Sequence, residues 1–257
     1  MNNLRNLILI MLWMTSCSSS DSDSKGELYD SSSGTGGSMA RFAITGDVLY
    51  TVSSNTMSLF DIENAALPTQ IEKGDLKIGF DIETIFPMDT LLFIGSRSGM
   101  YVFSISEPHS PKMMAQVQHL RSCDPVVAQG EYAYVTLNTN FSSCGAVPNN
   151  VLQIYNISQP TVPVLEKTLP MTSPTGLGID GSKLFVCDRG LKVFDIADPL
   201  NITQIDDIAN ISEVDISEAY DVIPLQGLLI LTAKEGLYQF DYSEANLRFI
   251  SKIEINR

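Results

Sequence analysis

Residues 181–199 read GSKLFVCDRGLKVFDIADP. The turn signal Asp180-Gly181 leads into a short apolar run, Leu184-Phe185-Val186. A second turn, Asp188-Arg189-Gly190, leads into Leu191-Lys192-Val193, which ends on an aromatic, a small polar and an apolar residue, Phe194-Asp195-Ile196. Short β-branched and aromatic runs between tight turns are antiparallel strands. The closing triplet recurs as Phe60-Asp61-Ile62, Phe103-Ser104-Ile105, Tyr155-Asn156-Ile157 and Phe240-Asp241-Tyr242. Successive spacings are 43, 52, 39 and 46 residues.

Each triplet has the same surroundings. Ahead of it lies an apolar strand beginning at Leu49, Leu92, Tyr132, Leu184 or Leu228. Each strand follows a turn signal: Gly46-Asp47, Met88-Asp89, Gln129-Gly130, Asp180-Gly181 or Gln226-Gly227. Pro follows the triplet in the first four units, and Ala245-Asn246 takes that place in the fifth. No segment shows a helical period. Five units of about 45 residues, each of four short strands, predict an all-β fold, a β-propeller of five four-stranded blades. The blades are expected at 38–77, 78–121, 122–172, 173–211 and 212–257. One blade cannot cover its own two faces, so neighbours around an axis are expected to bury them. A β-sandwich, the competing all-β fold, does not explain five similar units.

The units resemble LVIVD repeats, as in Leu184-Phe185-Val186-Cys187 followed by Gly190 to Pro199. The stretches 37–42, 79–85 and 95–101 are similar to lipid-anchored LVIVD-repeat proteins of Bacteroidetes. The resemblance covers about residues 37–257. It implies a propeller on a lipid tether and carries no activity or catalytic residue.

The N-terminus agrees with that. Residues 1–16 read as a signal peptide: Arg5 is basic, and 7–13 (LILIMLW) is apolar but too short to span a bilayer. Met14-Thr15-Ser16-Cys17 resembles a bacterial lipobox, which makes Cys17 the acylated, palmitate-bearing residue. Residues 17–37 are the lipidated Cys and a Ser-, Gly- and Asp-rich tether with almost nothing to bury. Residues 38–257 are the propeller domain. The acidic run Ser20-Asp21-Ser22-Asp23 looks like the surface-export signal of Bacteroidetes lipoproteins, or else is a solubilising linker. The expected location is the outer membrane, held by lipid and facing the cell exterior.

Composition narrows the partners. The 257 residues carry 16 Lys+Arg against 30 Asp+Glu, a net charge of −14. That surface repels phosphate backbones, so nucleic acid is excluded as a partner. At 44% apolar and 18% charged residues, the chain suits a globular fold.

Cys123 and Cys144 lie 21 residues apart in one unit, Cys144 within an insertion at 138–150, and export permits a disulfide that would pin this loop to the start of the inner strand. A loop of that length would contribute about 3 kcal/mol in the chain-entropy description. The alternative is two free thiols. Cys187 sits inside an apolar strand and reads as a small core residue. The two histidines, His109 and His119, come with no Cys-x-x-Cys pair, so no metal site is expected, and no cofactor.

In a propeller, the loops entering the inner strands share one face with the turns between second and third strands, and ligands gather there. Counting back six residues from each first turn gives Arg41, Glu83, Asp124, Thr175 and Asp221, with Asp81 as the alternative to Glu83. The second turns supply Arg97, Arg189 and Lys234. Three readings fit this rim. The charges pair off and fix blade spacing; they hold a glycan, peptide or cation; or paired carboxylates hydrolyse a glycan. The sequence has no phosphate-binding loop, dinucleotide fingerprint or Gly-x-Ser-x-Gly. Asp89-Thr90-Leu91 resembles the O-glycosylation motif of Bacteroidetes. The expected function is non-catalytic: a binding or scaffold module for a glycan or an envelope protein, with the membrane as its other partner. A glycan-active hydrolase is the runner-up.

Overall fold

The computed structural model describes residues 37–71, 75–119, 122, 125–140, 149–208, 210–211, 214–244 and 247–255. These form five antiparallel blades arranged as a β-propeller. Blade 1 contains β1 (Phe42–Thr45), β2 (Val48–Val52) and β3 (Thr56–Asp61). Its outer strand comes in two pieces, β4 (Thr69–Gln70) and β5 (Leu76–Lys77), both paired with β3. Blade 2 is β6 (Ile82–Met88), β7 (Leu91–Ser96), β8 (Gly99–Ser104) and β9 (Lys112–Gln118). Blade 3 is β10 (Val126–Gln129), β11 (Tyr132–Leu137), β12 (Val151–Asn156) and β13 (Val164–Pro170). Blade 4 is β14 (Pro174–Asp180), β15 (Lys183–Asp188), β16 (Leu191–Asp195) and β17 (Thr203–Ile208). A small hairpin of β18 (Asn210–Ile211) and β19 (Val214–Asp215) follows. Blade 5 is β20 (Ala219–Leu225), β21 (Leu228–Ala233), β22 (Gly236–Asp241) and β23 (Arg248–Glu254).

The recurring triplet does three jobs. Its aromatic packs on the preceding blade: Phe103, Tyr155, Phe194 and Phe240 are all buried in interblade cores. Its polar residue caps the next loop by accepting the backbone N–H two residues on. This holds for Asp61 (2.9 Å), Ser104 (3.4 Å), Asn156 (3.0 Å), Asp195 (2.9 Å) and Asp241 (2.9 Å). Its third residue donates its N–H to the turn between the first two strands, as Ile62 does to the Asp47 carbonyl at 2.8 Å and Tyr242 to Gly227 at 2.8 Å. In blades 2–5 a β-bulge falls immediately before the aromatic, where it raises local twist. The predicted first turns are present too. Gly46, Asp89, Gly130, Gly181 and Gln226 all take the left-handed conformation.

Four interblade cores hold the arc. Tyr50, Met57 and Leu59 of blade 1 meet Leu92, Ile94 and Phe103 of blade 2. Phe93 and Val102 meet Val135 and Tyr155. Tyr134 and Ile154 meet Val186 and Phe194. Phe185 and Val193 meet Leu231 and Phe240.

The expectation that every blade face is buried fails at one seam. Among the described residues no hydrophobic cluster joins blade 5 to blade 1. Phe42 and Ile44, on the rear face of blade 1, are 55% and 44% exposed, and Phe60 is only half-buried. On the forward face of blade 5, Ile223, Ile230, Leu237 and Gln239 are half-buried. The side chains at this seam differ from their counterparts elsewhere. Thr51 stands where the register of other blades places Ile94, Val135, Val186 and Leu231. Gln239 stands where they carry Leu59, Val102, Ile154 and Val193. More polar outer faces on terminal repeats are the way a repeat array ends without sticking to itself.

Candidate functional site

The rim is one continuous end of the propeller. Backbone bonds tie strand entrances to second turns: Val52 N–H donates to the Arg41 carbonyl (2.9 Å), Arg97 N–H to Asp81 (3.1 Å) and Lys234 N–H to Glu218 (3.2 Å). The inner strands do not enter it alike. Bulges lie at the entrances of β6, β14 and β20. In β6 the extra residue is Glu83. In β20 it is Tyr220, which leaves Asp221 in the ladder opposite Thr232. Measured from the left-handed turn residue, Glu83 and Tyr220 are equivalent, lying six residues ahead of Asp89 and of Gln226, whereas Asp221 matches Thr84, so the expected set mixes positions that face different ways. Asp81 also differs from Glu83: it is exposed, with φ of 55°, while Glu83 is half-buried.

Charges pair within blades. Arg97 Nε donates to Glu83 Oε1 at 2.9 Å, which raises the Arg97 pKa further. Lys234 lies 2.9 Å from Glu218 in blade 5, both exposed. Arg41 and Arg189 are exposed, and Arg189 sits at a turn tip with φ of 54°. Thr175 Oγ1 donates to the Ala219 carbonyl at 3.1 Å, joining blades 4 and 5. Asp124, Cys123, Cys144 and Cys17 lie outside the described residues. Cys187 is a buried free thiol whose pKa is raised well above its ordinary value, first of all by burial.

Asp221 is not on the open rim. Its carboxylate lies beneath Gly37 and Ser38, which are both buried. Ser38 Oγ donates to Oδ1 (2.9 Å) and Met39 N–H to Oδ2 (3.3 Å). Burial pushes this carboxyl up to about 6, against those donors, which pull it down.

Several residues of this face escaped the sequence reading. Asp188, 2% exposed, accepts from the backbone N–H of Thr172 (3.1 Å) and Ser173 (2.5 Å) and from Lys192 Nζ (2.7 Å). It pins the crossing from blade 3 to blade 4. Its signal was the Lys placed four residues on, across the turn. Met39, Phe80 and Tyr220 are exposed at strand entrances, Phe80 to 79%.

The opposite face holds a shallow pocket of about 350 Å³ between blades 4 and 5, lined by Asp180, Lys183, Gln226, Tyr242 and Ser243 among others. Tyr242 replaces the usual Ile of the triplet, and its hydroxyl donates to Asp180 Oδ2 at 2.5 Å. Lys183 Nζ donates to the Tyr242 carbonyl at 3.2 Å. Among the described residues no three His, Cys, Asp or Glu side chains converge as metal ligands would.

No protein-family model matches the sequence, and no curated protein does. Solved structures are similar in fold. A functionally unknown protein from Desulfotomaculum acetoxidans has a TM-score of 0.66 at 12% identity, over 84% of this chain and 69% of that one. A candidate 6-phosphogluconolactonase from Bacteroides uniformis has 0.61 at 12%, over 84% and 70%. Apo AztD from Citrobacter koseri has 0.58 at 11%, over 81% of this chain and 59% of its own. The chain is thus a β-propeller of five four-stranded blades. Identities this low carry the fold and no activity.

Proposed function

We propose that this chain is a lipid-anchored envelope protein of the LVIVD-repeat kind, tethered through Cys17 to the outer membrane and facing the cell exterior. It binds a glycan or an envelope protein without turning it over. One observation carries the reading. The carboxylates described on the rim face are largely engaged, Glu83 by Arg97, Asp188 by Lys192 and two backbone donors, and Asp221 by Ser38 and Met39. What the rim offers outward is Arg41, Asp81, Arg189, Met39, Phe80 and Tyr220, together with the exposed Lys234–Glu218 pair. Such groups hold a partner through stacking and charge-assisted bonds. The tether joins the propeller at this same face, through Gly37, which supports a partner close to the membrane.

Arrays of glycans and purified envelope proteins test this. Capture without released product, weakened about tenfold in Phe80→Ala or Arg189→Ala, supports the reading. Product release from a polysaccharide that stops in Asp124→Asn overturns it in favour of the hydrolase.

A further inference from the structure

Across the open seam the described chain supplies one set of polar contacts. Asp221 faces the seam from blade 5, on the same side of its strand as Thr232 and Ile230. Ser38 and Met39 reach it from the segment that enters blade 1. Ser38 Oγ also accepts the Leu177 N–H of β14 at 2.8 Å, and the Ala40 carbonyl accepts the Ile85 N–H of β6 at 2.9 Å. Residues 37–40 therefore touch blades 2, 4 and 5 before the chain turns into blade 1. The fit leaves no spare room: a Cβ on Gly37 or on Gly176 would collide with the Asp221 carboxylate.

We propose that residues 37–40 form a proton-controlled axial latch. Seated, they join the two ends of the arc and cover inner backbone donors of β6 and β14. Released, they open the Asp221 carboxylate and the N–H groups of Leu177 and Ile85 to a ligand entering along the axis.

The groups facing Asp221 make the latch respond to protons. The segment presents Gly37, Ser38 and Met39; β14 presents Gly176; β21 presents Thr232; and β15 presents the Cys187 thiol, which stays neutral in this range. Among the described residues no cation pairs with Asp221. The seated carboxyl titrates at about 6, against 3.8 for a solvated one. The seated state thus binds its proton more tightly. Release becomes easier as pH rises, roughly tenfold per pH unit between those two values, and levels off about a hundredfold higher.

Amide hydrogen exchange on the full domain, without ligand, tests this apart from the binding proposal. Protection factors are taken against intrinsic rates from pH 4 to pH 7. Those of Met39 and Leu177 should fall about a hundredfold, while that of Leu231 in the core between blades 4 and 5 stays level. In Asp221→Asn the Met39 and Leu177 values should lose their pH dependence. Asn fits the site: Oδ1 can accept from Met39, and Nδ2 can donate to Ser38 Oγ. PH-independent protection at Met39 and Leu177 in the wild-type protein overturns the latch whether or not the variant folds. So does an equal fall in Asp221→Asn.

Discussion

Phe60 and Phe103 occupy the same place in their repeats, and the structure predicts very different costs for losing them. Phe103 is 3% exposed, enclosed by Tyr50, Met57 and Leu59 of the preceding blade. Truncation to Ala removes a buried aromatic and leaves a cavity that rigid neighbouring strands cannot fill, which costs about 3–5 kcal/mol. Among the described residues no blade packs over Phe60. Half-buried on its own sheet, it loses about half of a side-chain transfer term of roughly 2 kcal/mol and leaves no cavity, so about 1 kcal/mol is expected. Urea denaturation followed by circular dichroism should separate Phe60→Ala from Phe103→Ala by about 2–4 kcal/mol. For a domain of this size that corresponds to roughly 10 °C in melting temperature. Equal losses in the two variants would refute the reasoning, because Phe60 would then be covered by blade 5.

Three further outcomes follow from named contacts. Gly178 faces blade 5 so closely that a Cβ would stand 2.5 Å from Pro224 Cδ and 2.9 Å from the Val222 carbonyl, so Gly178→Ala should destabilise by about 1–3 kcal/mol in the same titration. Asp188→Ala strands Lys192 and two backbone donors and should cost about 3–5 kcal/mol, whereas Lys234→Ala breaks an exposed pair and should leave the melting temperature almost unchanged. Cys17→Ala should abolish palmitate labelling and release the protein from the membrane fraction; label retained in that variant would sink the anchor.

The repeat was legible because each residue of the triplet answers a need that recurs in every blade: an aromatic for the neighbour, a polar cap for the loop, an N–H for the turn. Position in the ring was not legible from it, since Phe60 and Phe103 read alike while, among the described residues, Phe103 packs on a preceding blade and Phe60 does not. The clue lay in what changed, Thr51 and Gln239 where other blades are aliphatic. Rim residues were harder to place. Counting six residues back needs a fixed origin, and the turn signals do not mark one: Asp221, counted from Gly227, is one place out of step with Glu83, counted from Asp89, because Gln226 is the equivalent turn residue. Arg97 pairs with Glu83, the residue that the β6 bulge sets out of the ladder. Asp221 reads as a rim acid because a sequence shows which acids begin strands, not which of them the segment at 37–40 will cover. Gly176 and Gly178 carried no nucleotide signature. Their use is steric: they let β14 and β20 approach closely.

An arc of five blades whose ends are joined, among the described residues, by residues 37–40 differs measurably from a ring of five equal seams. Thr69, Lys112 and Arg248 are exposed residues near the start of outer strands in blades 1, 2 and 5. Spin labels at these sites, paired as 69 with 112 and 69 with 248, give both distances by pulsed electron resonance. The open seam predicts that the distance across it, 69 to 248, exceeds the distance between adjacent blades, 69 to 112. Equal distances would contradict it.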